Sequence, residues 1–92
     1  MDEEKRQEYI EKLVDNLPML RKKLGLTQQG LANIIGVSSY TILAIEKKQR
    51  KMTWSTFLSV LIVCLTKEDV RQILTALNIY TDELIEFIEG KR

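Results

Sequence analysis

Histidine is absent from this sequence of 92 residues, and cysteine occurs once, at Cys64. A single thiol cannot close an intramolecular disulfide. Without histidine the usual zinc ligand sets cannot be assembled, and neither a Ser-His-Asp triad nor a Cys-His pair is available. We therefore expect no metal, no cofactor and no enzymatic activity, and we interpret Cys64 as a small buried hydrophobe.

Long apolar runs are also missing. The longest nearly apolar run, residues 57–65, holds nine residues, whereas a membrane-spanning helix needs about 20. The first residues, MDEEKRQEY, are charged and lack the apolar centre of a signal peptide. We therefore expect a cytoplasmic protein that does not contact the membrane. One proline, four glycines and no low-complexity segment predict a single domain over residues 1–92.

The net charge of +1 conceals an uneven distribution along the chain. Residues 1–20 carry six acids and three bases, and residues 54–92 carry six acids and four bases. Residues 21–53 carry one acid, Glu46, against seven bases: Arg21, Lys22, Lys23, Lys47, Lys48, Arg50 and Lys51. A basic block in an otherwise acidic chain is typical of phosphate binding. A solvated surface would account for the same cluster equally well.

Apolar residues recur at i, i+3 and i+4 rather than in alternation, which predicts an all-α protein. A Ser or Thr between one apolar residue just before it and another four residues after it indicates the start of a helix. This pattern occurs at Thr27, Ser38, Thr53, Thr66 and Thr81. Together with a helix ahead of Thr27, it predicts about six short helices.

The first helical region has Leu13, Leu17, Leu20 and Leu24 on one face, and it contains Pro18. Because proline lacks a backbone N–H and clashes with the preceding turn, two alternatives stay open. The helix is either kinked or begins near residues 16 and 17. In both cases the sequence predicts that it stops at Gly25.

Residues 27–47 meet the requirements of two short helices that cross steeply and are joined by a tight turn. Ala32 is small enough for close approach of the two helices. Gly36 tolerates the positive φ of the turn. Ser38 caps the second helix, and Ile42 and Ile45 supply its buried stripe. This combination is typical of a helix-turn-helix.

The segment 20–60 resembles the phage repressor and Cro-like (XRE-type) helix-turn-helix family. It reads LRKKLGLTQQGLANIIGVSSYTILAIEKKQRKMTWSTFLSV. The motifs that carry the resemblance are GLTQ at 25–28, the Ala32 and Gly36 pair, and IEK at 45–47. The resemblance implies a five-helix lambda-repressor-like bundle, here with one additional C-terminal helix. It also implies a homodimer that binds double-stranded DNA with its third helix in the major groove.

The resemblance places base contacts at the start of the recognition helix, while the basic block predicts phosphate contacts just after it. The expected DNA-binding residues are Gln28, Ser38, Ser39, Tyr40, Thr41, Leu43, Ala44, Lys47, Lys48, Arg50 and Lys51. The recognition helix departs from the family because it has few long polar side chains. Sequence readout is therefore expected to depend on apolar and hydroxyl contacts or on DNA shape.

One ion pair, between Arg21 and Glu46, is expected across the core. Glu46 follows the buried Ile45 directly, so its side chain cannot point fully into water. Arg21 is the base that the first helix offers on its inner side, between Leu20 and Leu24. In the family that the chain resembles, the two positions commonly pair. A guanidinium suits the role because its planar fork meets both carboxylate oxygens.

Three functions are compatible with these features. The first is a sequence-specific regulator of transcription, most often a repressor. The second is an antitoxin that binds its own operator while its acidic C-terminal helices hold a toxin. The third is an interaction module without DNA binding. The extension 66–92 carries apolar stripes (Val70, Ile73, Leu74 and Leu77, then Leu84, Ile85, Phe87 and Ile88) that suit either the core or a dimer interface.

Overall fold

The computed structural model describes residues 1–90, and this part of the chain is all-α, as the apolar spacing predicts. The six helices are α1 (Glu3–Lys23), α2 (Gln28–Ile35), α3 (Ser39–Glu46), α4 (Trp54–Leu65), α5 (Glu68–Ala76) and α6 (Asp82–Glu89). Within these residues no helix is long and apolar enough to cross a membrane.

Helix α1 is a continuous helix of 21 residues that contains Pro18. The alternative start near residues 16 and 17 is therefore wrong. Asp2 caps the helix by accepting a hydrogen bond from the N–H of Lys5 at 2.8 Å. Its first turn is acidic and its last turn basic, which matches the helix dipole. Leu17 and Leu20, on either side of Pro18, are fully buried, and this packing offsets the hydrogen bond that proline cannot make.

Four of the five predicted caps are confirmed. Thr27, Ser38, Thr53 and Thr81 each accept a hydrogen bond from the backbone N–H three residues later. Thr66 is the exception, because it ends α4 and its hydroxyl donates to the carbonyl of Val63 at 2.7 Å. Helix α5 begins after Lys67, which makes no side-chain cap. In this short connection the hydroxyl satisfies the end of α4 rather than the start of α5.

One hydrophobic cluster contains residues from all six helices. Its largest fully buried member is Phe57 of α4. The Trp54 ring stacks on Phe57 with centroids 4.7 Å apart. Val70, Leu74 and Leu84 from the C-terminal extension are fully buried in the same cluster. These three residues of the predicted stripes therefore belong to the chain's own core.

Polar and aromatic contacts join α6 to the first half of α1, in addition to the burial of Leu84. The hydroxyl of Tyr9 hydrogen-bonds with Thr81 and donates to Glu83. The guanidinium of Arg6 lies 5.4 Å from the Trp54 ring centroid and 5.7 Å from that of Phe87. The two ends of the described chain are thus joined on the face of the molecule that α1 and α6 share.

The turn between α2 and α3 follows the helix-turn-helix expectation locally. Gly36 ends α2 with φ at 82°, and its N–H donates to the carbonyl of Ala32 at 2.9 Å. The N–H of Val37 donates to the same carbonyl. Ala32 is fully buried, and α2 and α3 make the most extensive contact between any two of the described helices. The small side chain and the left-handed glycine therefore set the crossing of this pair.

Replacing Gly36 tests this turn. Gly36→Ala is expected to lower the free energy of unfolding by about 1–2 kcal/mol, because a Cβ is strained in the left-handed region. Urea denaturation followed by helical circular dichroism measures the change. Gly36→Asn is the matched control and should cost less, because asparagine tolerates this conformation. Equal costs for both variants would contradict the account.

Candidate nucleic-acid interface

Fewer residues of α3 are exposed than the sequence pattern indicates. Tyr40 is 67% exposed, while Ser39, Thr41 and Leu43 are half-buried. Ala44 is only 3% exposed. Ala44 therefore offers little surface for a base contact in this structure, and its place at the DNA stays a prediction. The accessible part of α3 is its first turn together with Leu43.

Three polar side chains meet at the start of α3. Ser38 accepts a hydrogen bond from the N–H of Thr41 at 3.1 Å, and the two hydroxyls lie 3.0 Å apart. Arg50, nine positions further along the chain, donates from Nη1 to Thr41 Oγ1 at 3.4 Å. The guanidinium is thus folded back from the loop after α3 onto the first turn of α3. The sequence pattern does not indicate this contact.

The basic segment 47–51 leaves α3 through a left-handed residue. Lys48 has φ at 61°, and the next N–H, that of Gln49, donates to the carbonyl of Ala44 at 2.9 Å. Lys47, Lys48, Arg50 and Lys51 are all exposed. The segment therefore places four cations on the surface beside α3.

Lys48 forms an ion pair with a carboxylate of α1. Its Nζ lies 2.6 Å from Oδ1 of Asp15 on α1. Both side chains are more than half exposed, at 65% and 56%, so the pair contributes under about 1 kcal/mol to stability. Asp15 is a residue that sequence reasoning missed. The partners are 33 positions apart, and no local pattern connects them.

Arg21 and Glu46 lie in direct contact beneath this surface. Arg21 Nε donates to Glu46 Oε2 at 2.8 Å, and Nη2 donates to Oε1 at 3.1 Å. The two side chains are only 12% and 7% exposed. The guanidinium also donates from Nη1 to the carbonyl of Leu26 at 3.1 Å. One side chain of α1 therefore binds both the end of α3 and the turn before α2.

Gln28 belongs to the same network. Its Nε2 donates to Glu46 Oε1 at 3.0 Å. The sequence interpretation gives this residue a phosphate contact, whereas the structure turns its amide nitrogen toward the buried carboxylate. The physical reason is that a shielded carboxylate needs several donors. Glu46 thereby receives hydrogen bonds from the first residue of α2 as well as from α1.

This network lowers the pKa of Glu46. Burial would raise that pKa, but the hydrogen bonds from Arg21 and Gln28 and the positive charges of Arg21 and Lys22 together outweigh burial, and the pKa falls below its ordinary value of 4.5. The hydrogen bond with Glu46 raises the pKa of Arg21. Both groups are therefore charged at neutral pH. Elsewhere in the core, burial raises the pKa of Cys64 to about 11, so its thiol is protonated.

No family model, curated protein or solved structure matches this chain. The resemblance to phage repressor and Cro-like proteins therefore depends on the residues of segment 20–60 alone. The geometry of α2, α3 and the segment that follows is the basis for a functional proposal.

A double-mutant cycle tests the Arg21–Glu46 pair. Arg21→Ala or Glu46→Ala should each lower the free energy of unfolding by about 3–5 kcal/mol, because each variant leaves one shielded charge unpaired. The double variant should cost less than the sum of the two. Asp15→Ala is the matched control at an exposed pair and should cost less than about 1 kcal/mol. Additive losses below 1 kcal/mol from the buried pair would refute the coupling.

The lowered pKa of Glu46 predicts a pH dependence. The Glu46 carboxylate takes up a proton more readily in the unfolded chain than in the folded chain. The stabilisation that the ionised carboxylate contributes to the folded state is therefore complete above about pH 4.5. It is lost as the pH falls through the lower pKa of the folded protein. The stability difference between wild type and Glu46→Gln should therefore shrink on acidification, measured by urea denaturation from pH 7 to pH 3. The exposed Glu11→Gln is the control, and a difference that grew below pH 4.5 would contradict the assignment.

Proposed function

We propose that this protein is a regulator of transcription that binds double-stranded DNA by placing α3 in the major groove. The observation that carries the proposal is the meeting of three features on one surface. The first turn of α3 is accessible at Tyr40, Arg50 contacts that turn through Thr41, and Lys47, Lys48 and Lys51 are exposed in the segment that follows α3. A short helix flanked by cations is suited to enter the groove while the cations bind phosphate.

The proposal assigns the chain a lambda-repressor-like bundle made of α1–α5, with α6 as an addition. The supporting features are the order of the short helices, the left-handed turn at Gly36 and the pair between Arg21 and Glu46. This pair suits the function, because α3 must be presented to DNA at a fixed angle. Ser39, Tyr40 and Thr41 are the base-facing candidates, whereas Ala44, at 3% exposure, offers little surface for such a contact.

The proposal includes a two-fold homodimer, because a recognition helix of eight residues reads too few base pairs for useful specificity. Such a dimer requires an operator with two inverted half-sites about 34 Å apart. In the C-terminal extension, Ile88 is 52% exposed, and Ile85 and Phe87 are half-buried. These residues, together with the half-buried Ile73 and Leu77 of α5, are the part of the predicted stripes that stays accessible for an interface.

Titration of labelled duplex DNA at several salt concentrations tests the function. Binding should weaken steeply with salt, because each phosphate contact releases counterions. For a dimer that contacts about eight phosphates, the slope of log affinity against log salt would be near −7. Sedimentation in the same buffers should show two chains per duplex.

Lys51→Ala should reduce the size of that slope, and Glu4→Gln, at an exposed position in the first turn of α1, is the control that should leave it unchanged. Affinity that does not vary with salt, or a single chain on DNA, would contradict the proposal. A protein that co-purifies in stoichiometric amount and covers α6 would instead favour the antitoxin. If the protein binds no duplex DNA, the remaining function is the third one, an interaction module without DNA binding.

A further inference from the structure

No side chain in the accessible part of α3 has two separate hydrogen-bonding atoms that could pair with two positions on one base edge. Ser39 and Thr41 carry only short hydroxyl groups, and Tyr40 ends in a single hydroxyl. The one long charged residue of α3, Glu46, is committed to Arg21 and Gln28. Strong discrimination between base pairs comes from paired hydrogen bonds to one base edge. If the protein has such a contact, a residue outside α3 must supply it.

Arg50 is placed to do so. Its guanidinium lies against the first turn of α3, where Nη1 donates to Thr41 Oγ1. Thr41 is itself held by the hydroxyl of Ser38 at 3.0 Å. Lys48, in contrast, is directed toward Asp15 on α1. Among the cations that follow α3, Arg50 is therefore the one that a contact directs to the residues expected at the base edges.

We propose that Arg50 is the principal base-reading residue of this protein, that it recognises guanine in the major groove, and that Thr41 positions it. This inference depends on the proposed function, since it presupposes that the first turn of α3 lies in the groove. It changes the role of Arg50 from a phosphate contact to the determinant of sequence preference.

The chemistry of the guanidinium supports this assignment. It presents its N–H donors in a rigid fork, which matches the O6 and N7 acceptors of guanine. The bond to Thr41 is long at 3.4 Å, and it engages one of five N–H donors. Exchanging it for shorter bonds to a base costs little. A lysine at the same place would keep the charge and lose the fork.

Selection from a pool of random duplexes, followed by titration of the selected duplex, tests the inference. The wild type should select a G·C pair at one fixed position of each half-site. Exchanging that pair for A·T should weaken wild-type binding by about 5- to 150-fold. Arg50→Ala should lose most of this preference and bind the two duplexes with similar, weak affinity. Thr41→Val should give a smaller loss of discrimination, because it removes only the acceptor that holds Arg50.

Lys51→Ala is the matched control, since it removes a cation from the same segment. It should weaken both duplexes equally and keep their ratio. If Arg50→Ala retains the wild-type ratio, Arg50 contacts phosphate and the inference is overturned. If the wild type binds duplexes with steep salt dependence but selects no sequence, the inference falls while the electrostatic part of the function stands. If it binds no duplex at all, both fall.

Discussion

The bidentate contact between Arg21 and Glu46 holds together the parts of the molecule on which the candidate interface depends. Arg21 lies near the end of α1 and also binds the carbonyl of Leu26, while Gln28 at the start of α2 binds the same carboxylate. Three helices and one turn therefore share a single shielded pair. Because removing either partner leaves a charge without its counter-ion, the arrangement behaves as one unit. This unit fixes the end of α3 while the start of α3 stays accessible.

Part of the positive charge beside α3 is paired within the chain. Two of the four cations in segment 47–51 have intramolecular partners: Lys48 contacts Asp15, and Arg50 contacts Thr41. Both contacts involve exposed side chains, so an anionic ligand can replace them at small cost. The acids of α1 thus limit the positive charge on one side of the segment. Arg50 is oriented by the neutral hydroxyl of Thr41, which does not compete for its charge.

Local chemistry accounts for the parts of the fold that could be predicted. Serine and threonine caps, the left-handed Gly36 and the small Ala32 act through neighbours within a few residues, and so they are readable from the chain. Packing decided one point that the local pattern left open, at Pro18, and one that it predicted wrongly, at Thr66. Helix α1 passes through Pro18 because its flanking leucines are buried, and Thr66 ends α4 instead of starting α5.

The sequence by itself determined the helical class of the described chain, four of its caps, the turn between α2 and α3, and the basic block beside them. Spacing along the chain is enough for these features, because each depends on residues within one or two turns. Only the tertiary structure decided that Ala44 is buried, that Gln28 serves Glu46, and that Arg50 lies on the first turn of α3. The two hydrogen bonds join residues on different elements, and the burial of Ala44 depends on how α3 packs. Their distances follow from how the helices pack, which no local pattern encodes.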